Sequence, residues 1–330
     1  MRALLTGATG FVGGHVLRAL LDEGATVCCM ARDPRRFHQP PSGDVEVVRG
    51  DLRRRDEVER AVAGCEVVFH CAADYRLYAR RKADLYESNV EGTRNVLASS
   101  ALAGVERVVY TSSVGALGLT KDGSPADEET PVELLDMIGH YKRSKFLAER
   151  VADEWSANGL PLVTVNPSTP VGEGDLKPTA TGQLIVDFLN RRVPAWVDTG
   201  LNLVDVRDVA RGHLLAAEKG RTGEKYILGN RDMSLHEIYC TLARIADLPE
   251  PRLRLPHAVP LVYAALDTLA ARVLRREPRV ALESVRLARH KMYFSAARAV
   301  RELGLPQSPV EAALERAVDW YRANGYVEAR

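Results

Sequence analysis

The stretch Thr6-Gly7-Ala8-Thr9-Gly10-Phe11-Val12-Gly13 constrains this chain more than any other. It follows the short apolar run Ala3-Leu4-Leu5 and precedes an amphipathic run from Phe11 to Leu21. That order predicts a strand, a tight glycine turn and a helix. Gly7 can take the φ > 0 that such a turn needs, and Gly10 lets backbone approach a ligand with no Cβ in the way. Gly13 lets the helix pack close to the strand. The free N–H groups and positive end of that helix then attract a pyrophosphate. The spacing is Gly-x-x-Gly-x-x-Gly, one residue longer than the usual dinucleotide fingerprint. Glycine-rich turns also serve plain packing, so the motif draws its meaning from the chain that follows. Cofactor contacts are expected from Gly7, Thr9, Gly10, Phe11, Val12 and Gly13.

That chain alternates strand and helix through residue 166. Ala25 to Ala31 is an apolar run suited to a strand buried on both faces. In a dinucleotide fold the residue ending this strand meets the adenosine ribose, where an acid bonds the 2′-hydroxyl and an arginine accepts a 2′-phosphate. Here it is Arg32, followed by Asp33-Pro34-Arg35-Arg36, so NADP is expected rather than NAD. Val45–Val48 reads as a third strand, ending in Gly50-Asp51-Leu52, with Asp51 and Leu52 as candidate adenine contacts; Asp51 also suits a turn or helix cap. A helix is expected from Asp56 to Ala63. Glu66–Phe69 reads as a fourth strand, and the small residues Ala72 and Ala73 beyond it permit close approach of a ligand. A long helix is expected from about Ala83 to Ala103, with Asn89 a mild penalty inside it. Arg107–Tyr110 reads as a fifth strand opening into Thr111-Ser112-Ser113. Such alternation predicts an α/β, doubly wound parallel sheet of the Rossmann type.

Composition narrows the function. Among 330 residues there are 45 Lys+Arg and 44 Asp+Glu, so no global field draws nucleic acid or an anionic membrane. No basic block interleaved with aromatics appears, which argues against a nucleic-acid module. Met1-Arg2-Ala3 leads directly into the first strand, leaving no room for a signal peptide. The five cysteines (28, 29, 65, 71 and 240) form no Cys-x-x-Cys pair and no metal spacing, in keeping with a reducing cytoplasm and no bound metal.

Past a loop at Asp127–Pro131, His140-Tyr141-Lys142-Arg143-Ser144-Lys145 places Tyr141 and Lys145 four apart on one helix face. A lone Tyr-x-x-x-Lys usually marks a surface pair. In order with the glycine turn, Asn89 and the Ser112-Ser113 pair, it resembles the short-chain dehydrogenase/reductase superfamily in its extended branch, over roughly residues 1 to 220. The resemblance implies Tyr141 as proton donor or acceptor on the substrate oxygen and Lys145 as the cation that lowers its pKa and bonds the nicotinamide ribose. It implies Ser113, the later of the pair, as a second ligand of that oxygen, and Asn89 as support for a water or backbone relay. A free phenol titrates near ~10, and bringing it down by about 3 units takes roughly 4 kcal/mol of differential stabilisation. Pro167, in Asn166-Pro167-Ser168-Thr169-Pro170, resembles the family's loop around the nicotinamide carboxamide. Residues 1–174 and 203–223 are then the NADP-binding unit, and 175–202 and 224–330 a smaller, mainly helical substrate unit.

A narrower likeness runs nearly end to end. Ala72-Ala73-Asp74-Tyr75-Arg76-Leu77, Gly139–Lys145, Asn166–Pro170 and Val197–Asn202 resemble the bacterial hopanoid-associated sugar epimerase family, itself similar to dihydroflavonol-4-reductase-like enzymes. It implies NAD(P)-dependent oxidoreductase or epimerase chemistry at a carbonyl or hydroxyl carbon of a sugar-like or hopanoid side-chain substrate. Sugar 4-epimerases of the superfamily usually hold NAD and carry an acid where Arg32 stands, which favours net NADPH-dependent reduction over epimerisation. A non-catalytic NADP sensor is a third reading, disfavoured because both Tyr141 and Lys145 are present. The expected partner is a small-molecule or lipid-linked substrate, with a homodimer as a further association. Pro256–Leu274 is apolar almost all round, and its plain expectation is burial within the smaller unit. With Arg275, Arg276 and Arg279 following, the hopanoid likeness adds a second expectation: a lipid entrance with peripheral contact at the inner membrane.

Overall fold

The computed structural model describes residues 1–37, 43–76, 81–273 and 282–328. In chain order the first half runs β1 (Arg2–Thr6), α1 (Phe11–Asp22), β2 (Thr26–Ala31), β3 (Val45–Arg49), α2 (Arg55–Val62), β4 (Val67–His70), α3 (Lys82–Tyr86), α4 (Gly92–Ala103), β5 (Arg107–Thr111), α5 (His140–Ala157) and β6 (Leu162–Pro167). It continues with β7 (Thr169–Val171), α6 (Ala180–Leu189), β8 (Ala195–Trp196), β9 (Gly200–Asp205), α7 (Val206–Lys219), β10 (Lys225–Leu228) and β11 (Arg231–Ser234). The chain closes with α8 (Leu235–Ala246), β12 (Leu253–Arg254), α9 (Ala258–Val273), α10 (Leu282–Leu287), β13 (Lys291–Met292), α11 (Ala297–Leu303) and α12 (Val310–Ala323).

Seven strands form one parallel sheet in the order β3-β2-β1-β4-β5-β6-β10. The order reverses between β1 and β4, the switch point outside which a doubly wound sheet binds its ligand. Strands buried on both faces need helices on both. Ala3, Leu5, Val27 and Val165 pack on the side of α1, α7 and α11. Leu4, Val68, Val108 and Leu162 pack on the side of α2, α4 and α5. A smaller sheet sets β9 antiparallel to β11 and parallel to β7 and β13, and a separate apolar cluster joins α6, α8 and α12 beside it.

Three expectations change. Residues 225–228, assigned by sequence to the smaller unit, extend the main sheet by pairing with β6, because Tyr226, Ile227 and Leu228 complete its core. Ala299 and Leu303 of α11 join that same core. The helix expected across 83–103 is broken by a π turn over Glu87–Glu91, whose widened ring carries Asn89. The third concerns α9, whose ordinary burial is reversed. Ala264, Asp267 and Ala271 face inward, while Val259, Val262, Tyr263, Leu266 and Leu269 are 49–62% exposed, a stripe at helical spacing. Arg275, Arg276 and Arg279 lie outside the described residues. Among the described residues no helix is long and apolar enough to cross a membrane.

Candidate active site

The glycine turn is built as tightly as its sequence demands. Gly7 has φ +82°, and a Cβ on it would sit 2.6 Å from the Ala72 nitrogen. A Cβ on Gly13 would lie 2.1 Å from the Gly7 oxygen, so only glycine lets α1 approach β1 this closely. Gly10 precedes α1 without a side-chain cap, and the first turn, which includes Phe11, Val12 and Gly13, carries no acid. Thr9 lies half-buried in the same turn. Its amides and positive end therefore remain for an outside anion, which is what a dinucleotide's pyrophosphate supplies.

At the adenosine end, Arg32 is exposed just past β2 and has no hydrogen bond or ion pair among the described residues. Its charge reaches Asp51 and Asp74, adding a smaller share to the lowering that Arg53 gives Asp51 and Arg76 gives Asp74 against its burial. Arg35, by contrast, folds back on Asp33 with Nε–Oδ1 at 3.0 Å. Asp51 is engaged by Arg53 at 2.6 Å, the principal reason its carboxyl is lowered, and its N–H donates to Glu57. Leu52 offers its carbonyl to Asn95 at 2.8 Å. Arg32 thus keeps its donors uncommitted among the described residues.

The floor beneath the switch point is a neutral hydrogen-bonded layer. His70, 1% exposed, sits between Thr6 Oγ1 at 2.8 Å and Thr93 Oγ1 at 3.0 Å, and the N–H of Ala72 donates to the same Thr6 hydroxyl. Burial, then the nearby Lys145 charge, pushes its pKa down to about 3, so it stays an uncharged strut. The loop beyond, through Ala73 to Asp74, is clamped by Asn89: its Oδ1 accepts from the Asp74 N–H at 2.7 Å, and its amide donates to the Asp74 carbonyl and to Ser144 Oγ, both at 2.9 Å. Ser144 Oγ donates onward to the Tyr141 carbonyl at 2.7 Å. Asn89 therefore joins the loop after β4 to α5, and this clamp is a protein-only path with every polar atom of the Asn used.

On α5, Lys145 is 2% exposed and donates to the Thr111 carbonyl at 2.8 Å and the Tyr110 hydroxyl at 3.3 Å, with its ammonium 4.9 Å from the Tyr110 ring. Burial lowers its pKa to about 8, against the opposing pull of Glu149. Tyr141 is half-buried, and burial pushes its phenol up while the Ser113 hydroxyl draws it back. Lys145, one turn along the same helix, donates to Thr111 and Tyr110 rather than to the phenol itself. Ser113 caps a short turn by accepting from the Gly115 N–H at 3.0 Å, leaving its own proton to donate. Its carbonyl accepts from Asn166, which also donates to Glu149 at 2.8 Å, and Glu149 is paired with Lys225 at 2.7 Å. Pro167 ends β6 beside Ser168, where a missing N–H costs the sheet least.

The structure thus brings Ser113, Tyr141 and Lys145 together at the carboxyl edge of β5, with Asn89 linked to the Tyr141 backbone by two hydrogen bonds through Ser144. Sequence reasoning missed Tyr110, Thr111, Ser144 and the Glu149–Lys225 pair; only their adjacency to named residues pointed to them. Among the described residues no cluster of His, Cys, Asp or Glu could hold a metal ion.

Known proteins resemble this chain over nearly its whole length. The NAD dependent epimerase/dehydratase family matches residues 3–229. A Synechocystis protein carrying the name dihydroflavonol 4-reductase is 45% identical, over 99% of this chain and 96% of its own. Sterol demethylase protein B of Methylococcus capsulatus is 34% identical over 99% of this chain and 100% of its own. The crystal structure of gox2253 superposes with a TM-score of 0.87 at 41% identity, covering 99% of both chains. The chain belongs to the NAD dependent epimerase/dehydratase family, the extended branch of the short-chain dehydrogenases/reductases, and is an NAD(P)-dependent enzyme.

Proposed function

We propose that this member of the extended short-chain dehydrogenase/reductase family is an NADP(H)-dependent reductase acting at a carbonyl or hydroxyl carbon of a largely apolar, polycyclic substrate such as a hopanoid side-chain precursor. The observation that carries the cofactor choice is Arg32, whose donors at the end of β2 have no partner among the described residues. NADPH, when bound, supplies a hydride. The chain's own residues do the rest. Tyr141 gives its hydroxyl proton to the substrate oxygen as the carbon beside it is reduced, and the Ser113 hydroxyl donates to that same oxygen. Lys145 sets a positive charge behind the phenol, stabilising the phenolate left when the proton departs. The reverse direction returns the proton to Tyr141. The family's own description favours a second reading, an epimerase recycling a tightly held cofactor; Arg32 stands against it.

Cofactor choice is tested by fluorescence titration of NADPH and NADH. A charge-assisted bond to the 2′-phosphate contributes about 1.5–3 kcal/mol, so NADPH is expected to bind tenfold or more tightly, and Arg32→Ala to erase the difference. Equal affinities in the wild type, or an unchanged preference in the variant, would sink the assignment.

The substrate class draws support from α9. An outward stripe of Val262, Tyr263, Leu266 and Leu269 is costly in water and suits the boundary of a bilayer, to which four arginines at 272, 275, 276 and 279 add positive charge in sequence. The names of two relatives, one for a sterol and one for a dihydroflavonol, agree with an apolar ring system. Co-sedimentation with anionic vesicles is expected, weakening in Leu266→Glu/Leu269→Glu. If neither neutral nor anionic vesicles retain the protein, the lipid entrance is wrong and a soluble sugar becomes the better substrate.

A further inference from the structure

Lys142 follows Tyr141 on α5 and has no role in the chemistry just described. Its side chain is 9% exposed. Its stem runs beside Gly115, where a Cβ would meet Ser113 Oγ at 3.2 Å and Lys142 Cγ at 3.7 Å. Its ammonium reaches the Met292 sulfur at 3.6 Å. A thioether is a weak acceptor, and an ammonium has three donors to place. Among the described residues no acidic group offsets its burial, which by itself lowers its pKa to about 8. Lys225 shows the contrast: it is also largely buried, but Glu149 and Asp153 accept from it at 2.7 and 3.1 Å. A buried ammonium without an anion is expensive, and proteins ordinarily pair it or exclude it. This one runs from Gly115, where its stem passes close to the Ser113 hydroxyl assigned to the substrate oxygen, to Met292 of β13 in the smaller sheet.

We propose that Lys142 binds an oxyanion carried by the substrate, a carboxylate or a phosphate, close to the carbon that reacts at Tyr141 and Ser113. The inference rests on the reading of Tyr141 and Ser113 as the substrate-oxygen site. It makes the substrate an oxo- or hydroxy-compound bearing an acid group, so that a neutral ketone of the same skeleton lacks one of its anchors. Charge-assisted donation from a largely buried ammonium is both strong and selective, and it orients the molecule with its apolar bulk away from Lys142.

The test uses the full chain saturated with NADP⁺, so that the cofactor's own phosphate sites are filled. Protein labelled with [6-¹³C]lysine carries eight labelled side chains, and Lys142→Met identifies the resonance of interest. Should that variant fail to fold, Lys142→Gln serves the same purpose. Sodium acetate and inorganic phosphate are titrated separately against chloride at constant ionic strength. The Lys142 resonance is expected to move saturably with at least one of them, and its titration midpoint to rise by about one unit or more. The exposed Lys121 and Lys219 should show no saturable change. A response to acetate alone identifies a carboxylate, and a response to phosphate alone a phosphate ester. No saturable response to either anion, or one shared equally by the exposed lysines, overturns the proposal. Because the readout needs no turnover, it stays separate from any failure of the hydride-transfer reading.

Discussion

Tyr141→Phe is expected to lower turnover by about 10²–10⁴, the usual scale of positioned general acid–base help, while folding and NADPH binding survive. The ring is half-buried on α5 and stays; only the hydroxyl goes. Ser113 keeps its bond from the Gly115 N–H, so its own position does not depend on the phenol. The wild-type pH profile follows from the charges. Donating a proton during reduction requires a neutral phenol, which burial favours by pushing Tyr141 upward. It also requires a positive Lys145, whose ammonium, held at about 8, is fully charged below that pH and loses its proton above it. Reduction should therefore fall as the pH rises through about 8. A Phe variant that keeps most of the wild-type rate would show that another group moves the proton.

Much of this site was legible because glycine and tyrosine carry their reasons locally. Gly7 and Gly13 announce a turn that no Cβ could enter, and Tyr141 and Lys145 share a helix face whatever the rest of the chain does. What was not legible depended on contacts far apart in sequence. Asn89 reads as a mild flaw in a long helix, and nothing local signals the π turn that widens the backbone there. Its purpose comes from Asp74 and Ser144, 15 and 55 residues away. The four residues of β10 lie in a stretch with no dinucleotide pattern, and only pairing with β6 assigns them to the main sheet. Apolarity placed α9 in the core, yet Asp267, the lone acid in that run, is buried and the leucines are not. Hydrophobic content alone cannot choose between a core and a surface that meets another apolar phase. Nothing local marks Lys142 either, because burial of its ammonium is decided by Gly115 and Met292, neither of them nearby in the chain.

Consumption of the cofactor separates a reductase from an epimerase most directly. A reductase must take one hydride from NADPH for each product molecule, whereas an epimerase returns its hydride and leaves the cofactor unchanged. The decisive measurement incubates the enzyme with NADPH deuterated at C4 of the nicotinamide and a panel of polycyclic oxo-acids and nucleoside-diphosphate sugars, then counts NADP⁺ and label in the product together. Deuterium on the reduced carbon of an oxo-acid, with one NADP⁺ formed per product, is the predicted result. Conversion of a nucleotide sugar with no NADP⁺ accumulating and no label gained from added NADPH would contradict it.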